Sequence, residues 1–252
     1  MGIPPFPKFG NKHSLKPLYS ATEHFAMRHK TPETVSSRVI FIYQRKFKNA
    51  LIKRLGLKRC FYPYKLNSQI KTYTNAKKRV MVAVLPIGAP LTATTAEELH
   101  ALGANEFIII GAAGAIDNTL QIGEIVLCSK SVRDEGTSHH YIKNSLYVNP
   151  SKALTQKLAV SLKNENVPFR FGASWTIDAP YAETKTETLH YRKKGVLTVE
   201  MESAALFAVA KKRNFSAGAI FIISDILGEK WTGFKIMQKD YNLLADVVKK
   251  IF

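Results

Sequence analysis

The sequence has little that would favour a secreted, disulfide-stabilised or membrane-spanning protein. It contains two cysteines, Cys60 and Cys128, which are too few and too far apart for a disulfide framework or a metal knuckle. No stretch reaches the roughly 20 apolar residues that a membrane-spanning helix needs. The first 16 residues also lack the continuous apolar segment of a signal peptide. These absences predict a cytoplasmic protein with no membrane partner and no bound metal.

Acidic residues are scarce in the first third of the chain. Residues 1–80 hold 18 Lys and Arg against only Glu23 and Glu33, within a chain of net charge +18. This asymmetry indicates either a solvated lysine-rich surface or an anionic partner, such as phosphate, nucleic acid, a membrane surface or the acidic face of another subunit. No zinc-finger spacing, ribonucleoprotein motif or basic region leading into heptads accompanies the charge. We therefore do not expect nucleic acid as the partner.

The pattern of apolar residues predicts an α/β fold. Residues 1–36 contain five prolines and no sustained periodicity, so we expect an N-terminal arm followed by a single domain over residues 37–252. A strand, a helix and a strand at 79–85, 91–102 and 107–110 form a βαβ unit, which implies parallel pairing. Further strands are predicted at 39–43, 124–128, 170–177, 196–199 and 219–223, with a hairpin over 61–78. Further helices are predicted at 151–165, 203–212 and 235–250, and a basic amphipathic helix after the first strand is expected to stop at Gly56. The prediction is a mixed, mostly parallel central sheet flanked by helices.

Three predicted strand ends carry residues that are unusual beside a core, and ligands of open α/β folds bind beyond the carboxyl ends of strands. Gly111–Gly114 would let a ligand approach the backbone, or would allow close packing of strand and helix. Glu200 and Glu202 flank a methionine beside the core, where a carboxylate is costly unless it has an ionic partner or a functional role. Either residue could also simply cap the following helix. Asp225 ends an apolar strand, where it is either a general acid with a raised pKa or a cap. Together they favour one shared site.

Several segments, in the same order, resemble the purine nucleoside and uridine phosphorylase family. They are Gly88-Ala89-Pro90, Glu97-Glu98-Leu99, IIIGAAGAI (108–116), Gly123-Glu124-Ile125-Val126, SVRDEGTSHHY (131–141), TIDAPYAET (176–184), VEMESAAL (199–206) and ISD (223–225). The resemblance covers residues 38–252, and VEMESAAL is its most specific part. It implies a phosphorylase/hydrolase-like three-layer sandwich that assembles as a homo-oligomer.

The resemblance also implies roles for the residues at the strand ends. Glu202 and the backbone of Met201 would hold the ribose 2′- and 3′-hydroxyls, since a carboxylate accepts two hydroxyl hydrogen bonds well. Asp225 would protonate or hydrogen-bond the departing purine. The base would pack on Trp175, Thr176, Ile177 and Tyr181. Such a reaction needs no cofactor and no metal, with inorganic phosphate as co-substrate.

The phosphate site departs from the family pattern. Ile109 stands where the phosphorylases have an arginine, and Ala112 stands where a hydroxyl residue usually follows the first glycine. The family's phosphate loop after the first strand is replaced by YQRKFK at 43–48. We therefore expect phosphate at Gly111 and Ala112, with Arg45 or Lys48 supplying the positive charge.

Three functions stay open at this point. The first is phosphorolysis of the N-glycosidic bond by a pentosyltransferase of nucleoside salvage, with a purine nucleoside favoured because of Asp225. The second is hydrolysis, although residues 36–60 contain no acid that could match the catalytic glutamate of the family's nucleosidases. The third is a non-catalytic homologue that only binds a nucleoside.

Overall fold

The structure is a computed structural model, and it describes residues 12–28, 35–60, 69–75, 80–228 and 230–251. The helices are α1 (Ala21–Arg28), α2 (Arg45–Leu55), α3 (Ala89–Ala101), α4 (Lys152–Asn164), α5 (Lys185–Lys193), α6 (Ser203–Arg213) and α7 (Gln238–Ile251). The strands are β1 (Arg38–Ile42), β2 (Lys58–Cys60), β3 (Lys71–Asn75), β4 (Val80–Val84), β5 (Glu106–Ala115), β6 (Ile125–Asp134), β7 (Tyr147–Val148), β8 (Arg170–Ile177), β9 (Val196–Glu200) and β10 (Ser216–Ile226). Short 3-10 helices lie at Lys12–Ser14, Ser138–His140 and Pro180–Ala182.

The described strands form one mixed sheet. Its order is β10-β6-β8-β9-β5-β1-β4-β3-β2, with β7 beside β6. The longest pairings, β5 with β10 and β6 with β8, are parallel, whereas β6 with β10 and β5 with β9 are antiparallel. Because β10 also pairs with β5, the strands β5, β9, β8, β6 and β10 close into a ring. The predicted α/β fold is confirmed, and the closed ring is a feature that the sequence pattern did not predict.

Helices cover both faces of the sheet. Leu51 of α2 and Val248 of α7 belong to one buried cluster, and Leu99 of α3 and Phe207 of α6 belong to another. The strand run Val39–Ile42 contributes alternate residues to the two clusters, because successive side chains of a strand point to opposite faces. An uninterrupted apolar run is what a strand buried on both sides requires.

The predicted boundaries agree with the structure in some places and differ in others. α2 ends at Gly56, which adopts the left-handed conformation (φ 60°) that glycine tolerates. Gly111–Gly114, which we expected to follow a strand, lie inside β5 and pair with β10. This part of the prediction was wrong, because pairing with β10 continues through all four small residues and β9 joins on the other side at Gly114. The hairpin expected over 61–78 lies largely outside the described residues, which show β2 and β3 pairing antiparallel.

Within its described residues, the segment assigned to the N-terminal arm contains helix α1 and the 3-10 helix Lys12–Ser14. α1 packs against α3, and its Phe25 is buried. The boundary at residue 36 remains a prediction. Across the described residues, no helix is both long and apolar enough to cross a membrane.

Candidate active site at the strand ends

Glu200, the last residue of β9, caps helix α6. Its carboxylate accepts hydrogen bonds from the backbone N–H groups of Glu202 and Ser203, both at 2.8 Å. It also accepts the Ser203 hydroxyl at 2.6 Å and the Thr176 hydroxyl at 2.5 Å. The first amides of a helix have no intrahelical acceptor, so a carboxylate there satisfies them. The capping explanation therefore applies to Glu200 and leaves Glu202 for another role.

Glu202 is 5% exposed and contacts a different part of the chain. Its Oε1 accepts a hydrogen bond of 2.7 Å from the backbone N–H of Gly88, in the turn between β4 and α3. Burial and the neighbouring charge of Glu200 raise the pKa of Glu202 to about 8. A carboxylate in this position is stabilised by further hydrogen-bond donors, and a pair of sugar hydroxyls would supply them.

Tyr43, directly after β1, borders the same carboxylates. Its hydroxyl lies 2.9 Å from that of Thr92 on α3. Burial, and then the charge of Glu202, raises the pKa of Tyr43 well above its usual value. Tyr43 is therefore a neutral hydrogen-bonding group at physiological pH. The end of β1 thus contributes to the surroundings of Glu202.

Asp225 lies within β10 rather than at the start of a helix, so it is not a helix cap. The Ser224 hydroxyl is 2.5 Å from its Oδ1, and the Trp231 indole N–H donates to its Oδ2 at 2.7 Å. A Cβ added at Gly114 would lie 3.3 Å from Oδ2 and 2.6 Å from the Leu227 side chain. Gly114 therefore makes room for the Asp225 carboxyl beside β5.

The predicted phosphate residues lie near the end of β1 and the start of α2. A Cβ at Gly111 would lie 3.8 Å from Oε1 of Gln44, the residue that precedes α2. This Oε1 is buried without a hydrogen-bond partner among the described residues. Arg45 is exposed in the first turn of α2 and Lys48 is partly buried one turn later. The structure thus places a neutral carboxamide beside Gly111, with the two cations on the helix that follows it.

Only one of the four predicted base-binding residues is accessible. Trp175 is 0% exposed; its indole N–H donates to Asp134 at 2.9 Å, and its ring packs on Tyr191 with 4.7 Å between centroids. Thr176 and Ile177 are also buried, whereas Tyr181 is fully exposed. A ring with no exposed face has no surface on which a base could stack. The structure therefore places Trp175 as a core residue of β8.

The segment SVRDEGTSHHY covers the end of β6 and the tightly hydrogen-bonded loop that follows it. The buried guanidinium of Arg133 donates to the Ser138 hydroxyl at 2.9 Å and to the Lys143 carbonyl at 2.7 Å. The Glu135 carboxylate accepts from the backbone N–H groups of Thr137 and Ser138 at 2.5 and 2.8 Å. These contacts fix the loop between β6 and β7.

Several residues of the site had no role in the sequence-based prediction. They are Tyr43, Gln44, Gly88, Thr92 and Trp231. Gly88 lies in a segment that carried the resemblance, but a backbone N–H gives no distinct signal in a sequence. Within the described residues, no group of three His, Cys, Asp or Glu could hold a metal ion.

Several known proteins are similar to this chain in sequence. The family model described as the phosphorylase superfamily matches residues 49–251. A guanosine phosphorylase from Halorubrum lacusprofundi is 28% identical over 134 residues, which cover 53% of this chain and 56% of the relative. A uridine phosphorylase from Thermococcus kodakarensis is 29% identical over 167 residues, 60% of each chain. The matched segments thus span little more than half the length of these relatives.

A solved structure matches over a larger part of the chain. The crystal structure of uridine phosphorylase from Vibrio fischeri ES114, complexed with 6-hydroxy-1-naphthoic acid, superposes with a TM-score of 0.75 at 25% identity. The superposition covers 90% of this chain and 98% of that one. The architecture described above is therefore that of a known enzyme fold.

Proposed function

Because this chain belongs to the phosphorylase superfamily, we propose that it cleaves the N-glycosidic bond of a nucleoside and transfers the ribosyl group to inorganic phosphate. The products would be the free base and ribose 1-phosphate. The relatives named above are guanosine and uridine phosphorylases, and we propose a purine nucleoside as the preferred substrate because of the carboxyl group of Asp225. No cofactor enters the reaction.

The observation that carries the proposal is the separation of roles between Glu200 and Glu202. Glu200 uses its carboxylate to cap α6, whereas Glu202 occupies the N-cap position, makes no side-chain capping bond and instead accepts the N–H of Gly88. We propose that Glu202 accepts hydrogen bonds from the ribose 2′- and 3′-hydroxyls, which favour its ionised form. An ionised carboxylate beside the sugar also stabilises the positive charge that the ribose develops as the bond to the base breaks.

The acceptor of the ribosyl group has two candidates. For phosphate, we propose binding beside Gly111 and Ala112, with Arg45 or Lys48 as the cation, because α2 starts next to Gly111 and has no side-chain cap. For water, the favouring observation is Gln44, whose buried, unpartnered Oε1 is an acceptor for an O–H group. Hydrolysis is therefore the second candidate function.

One assay separates these functions. The purified protein is incubated with guanosine, inosine, adenosine and uridine, each with and without phosphate, and the released base is measured by chromatography. Base release that requires phosphate supports the proposal, and release without phosphate supports hydrolysis. Nucleoside binding by calorimetry without any base release would refute both enzymatic functions.

The cation of the phosphate site is tested with a pair of variants on one helix. Lys48→Ala should raise the KM for phosphate while leaving nucleoside affinity unchanged. The control is Lys53→Ala, an exposed lysine at the far end of α2. Equal phosphate KM values in the two variants and the wild type would eliminate Lys48, and the same comparison would then be made with Arg45→Ala.

A further inference from the structure

We infer that Trp231, in the segment between β10 and α7, is the residue on which the base of the nucleoside stacks. The inference rests on the proposed function, since it identifies the base-binding ring for that reaction. It reassigns a role that the resemblance gave to Trp175, whose ring is fully buried. The substrate class that it favours is a nucleoside with a bicyclic base.

The sheet places Asp225 close to the strand that leads to Glu202. Gly114 of β5 pairs with Asp225 of β10 on one side and with Val199 of β9 on the other. Neighbouring strands lie about 4.8 Å apart, so Asp225 and Val199 are separated by roughly 10 Å. Glu202 follows β9 by two residues. A nucleoside can bridge this distance, with its ribose at Glu202 and its base at Asp225.

The ring of Trp231 is held directly against Asp225. Its indole N–H donates to Oδ2 of Asp225 at 2.7 Å. Leu227 and Trp231 form an isolated antiparallel bridge. The Leu227 side chain covers Gly114, where a Cβ would lie only 2.6 Å from it. The bridge and the hydrogen bond together fix the indole at the carboxyl group that we propose for the base.

The faces of this ring remain available to a ligand. A hydrogen bond from the indole N–H lies in the plane of the ring, so it occupies an edge and not a face. Trp231 is 59% exposed, in contrast to the fully buried Trp175. The exposed ring of Phe234 meets it at 84°, with 5.3 Å between the centroids. Exposed aromatic surface beside a polar group is typical of a ligand-binding site.

A base stacked on Trp231 would lie beside the carboxyl group that anchors the ring. Aromatic rings stack with their faces offset, so the edge of the base can still reach Asp225. The Oδ2 atom has two lone pairs and can accept a second hydrogen bond beside that of the indole. A purine covers more of an indole face than a pyrimidine does. Trp231 therefore favours a purine nucleoside.

The kinetic test separates stacking from the hydrogen bond to Asp225. Trp231→Ala removes the ring and its N–H, and it should raise the KM for inosine by roughly 5- to 150-fold. Trp231→Phe keeps a ring without the N–H and should recover most of that loss. If Trp231 only held Asp225 in place, both variants would raise KM equally, and this result would overturn the inference.

The control variant and a second substrate use the same assay. Phe171→Ala removes a ring that is 60% exposed at the start of β8, and it should leave the KM for inosine unchanged. The effect of Trp231→Ala should be smaller for uridine, whose base has a single ring. An equal or larger effect for uridine would contradict the assignment of a bicyclic base.

A second measurement needs no turnover and leaves Trp231 intact. The chain has two tryptophans, so Trp175→Phe leaves Trp231 as its single indole fluorophore. Hypoxanthine, the base of inosine, should quench this fluorescence by stacking and should protect the ring from quenching by acrylamide. Unchanged emission at every hypoxanthine concentration, or a ring made more accessible to acrylamide, would refute the inference.

Failure of the inference differs from failure of the proposed function. If the wild type releases no base from any nucleoside, the proposed function fails. If it releases the base and Trp231→Ala keeps the wild-type KM, only the role of Trp231 fails. The fluorescence measurement tests that role in either case.

Discussion

Replacing Glu202 by glutamine should reduce activity and, at high pH, increase stability. Below pH 4.5 the carboxyl is protonated in the folded and the unfolded state alike. Between pH 4.5 and about 8 the folded protein holds a proton that the unfolded chain has released, so wild-type stability falls as the pH rises. Above pH 8 the carboxylate is ionised in both the folded and the unfolded state, and the stability of the wild type no longer falls with pH through this group.

The size of this effect follows from the burial of the side chain. Raising a carboxyl pKa from 4.5 to about 8 corresponds to roughly 5 kcal/mol of unfavourable interaction in the ionised folded state. Part of the repulsion between the two carboxylates is relieved when Glu200 takes up the proton instead of Glu202. We therefore expect the free energy of unfolding of the wild type to fall by on the order of 3–5 kcal/mol over this pH range. Glutamine has no charge to bury and retains an oxygen for the N–H of Gly88.

The assay is urea unfolding of both proteins at pH 5, 7 and 9. The free energy of unfolding of Glu202→Gln, relative to the wild type, should rise by about 3–5 kcal/mol across this range, while its kcat/KM falls. Glu200→Gln is the matched control: its carboxylate accepts four hydrogen bonds of 2.8 Å or less, which a carboxamide cannot all accept, so that variant should be less stable than Glu202→Gln at each pH. A difference for Glu202→Gln that does not change with pH would refute the reasoning.

Three further substitutions test individual contacts. Gly114→Ala would place a methyl group 2.6 Å from Leu227 and should lower both kcat/KM and the melting temperature. Unchanged kinetics would contradict this expectation. Thr184→Ala removes the capping box of α5 and should cost about 1 kcal/mol in chemical unfolding, whereas the exposed Thr186→Ala should cost little. Trp175→Phe should reduce stability by about 1–3 kcal/mol and leave the KM for the nucleoside unchanged, because the ring is fully buried; a raised KM would restore its predicted role at the base.

The sequence predicted the fold well where the pattern of apolar residues is regular. β8 was predicted at its observed bounds, and α2 ends at Gly56 as expected. The pairing of β10 with both β5 and β6 could not be predicted, because partner choice depends on contacts between distant segments rather than on local periodicity. For the same reason the small residues Gly111–Gly114 suggested a loop, although their pairing with β10 keeps them extended.

The site was predicted in its carboxylates but not in their division of roles. In the sequence, Glu200 and Glu202 are the same residue type two positions apart. Only the direction of each side chain shows that Glu200 caps α6 and that Glu202 accepts the N–H of Gly88. The resemblance implied that Trp175 packs against the base, but in the structure its side chain is buried in the core. Trp231 was missed because its contact with Asp225 depends on the antiparallel bridge between Leu227 and Trp231, which the sequence pattern does not predict.

The closed ring of β5, β9, β8, β6 and β10 has a consequence for how the molecule opens. Asp225 lies in a strand of this ring and Glu202 follows another by two residues, and each strand of the ring is paired on both sides. No strand of the ring can separate without breaking two ladders, so its amide protons should exchange with solvent together and slowly, as one cooperative unit. β2 lies at the edge of the sheet and pairs only with β3. Fraying therefore begins at the β2 edge, and the carboxylates keep their geometry while it occurs.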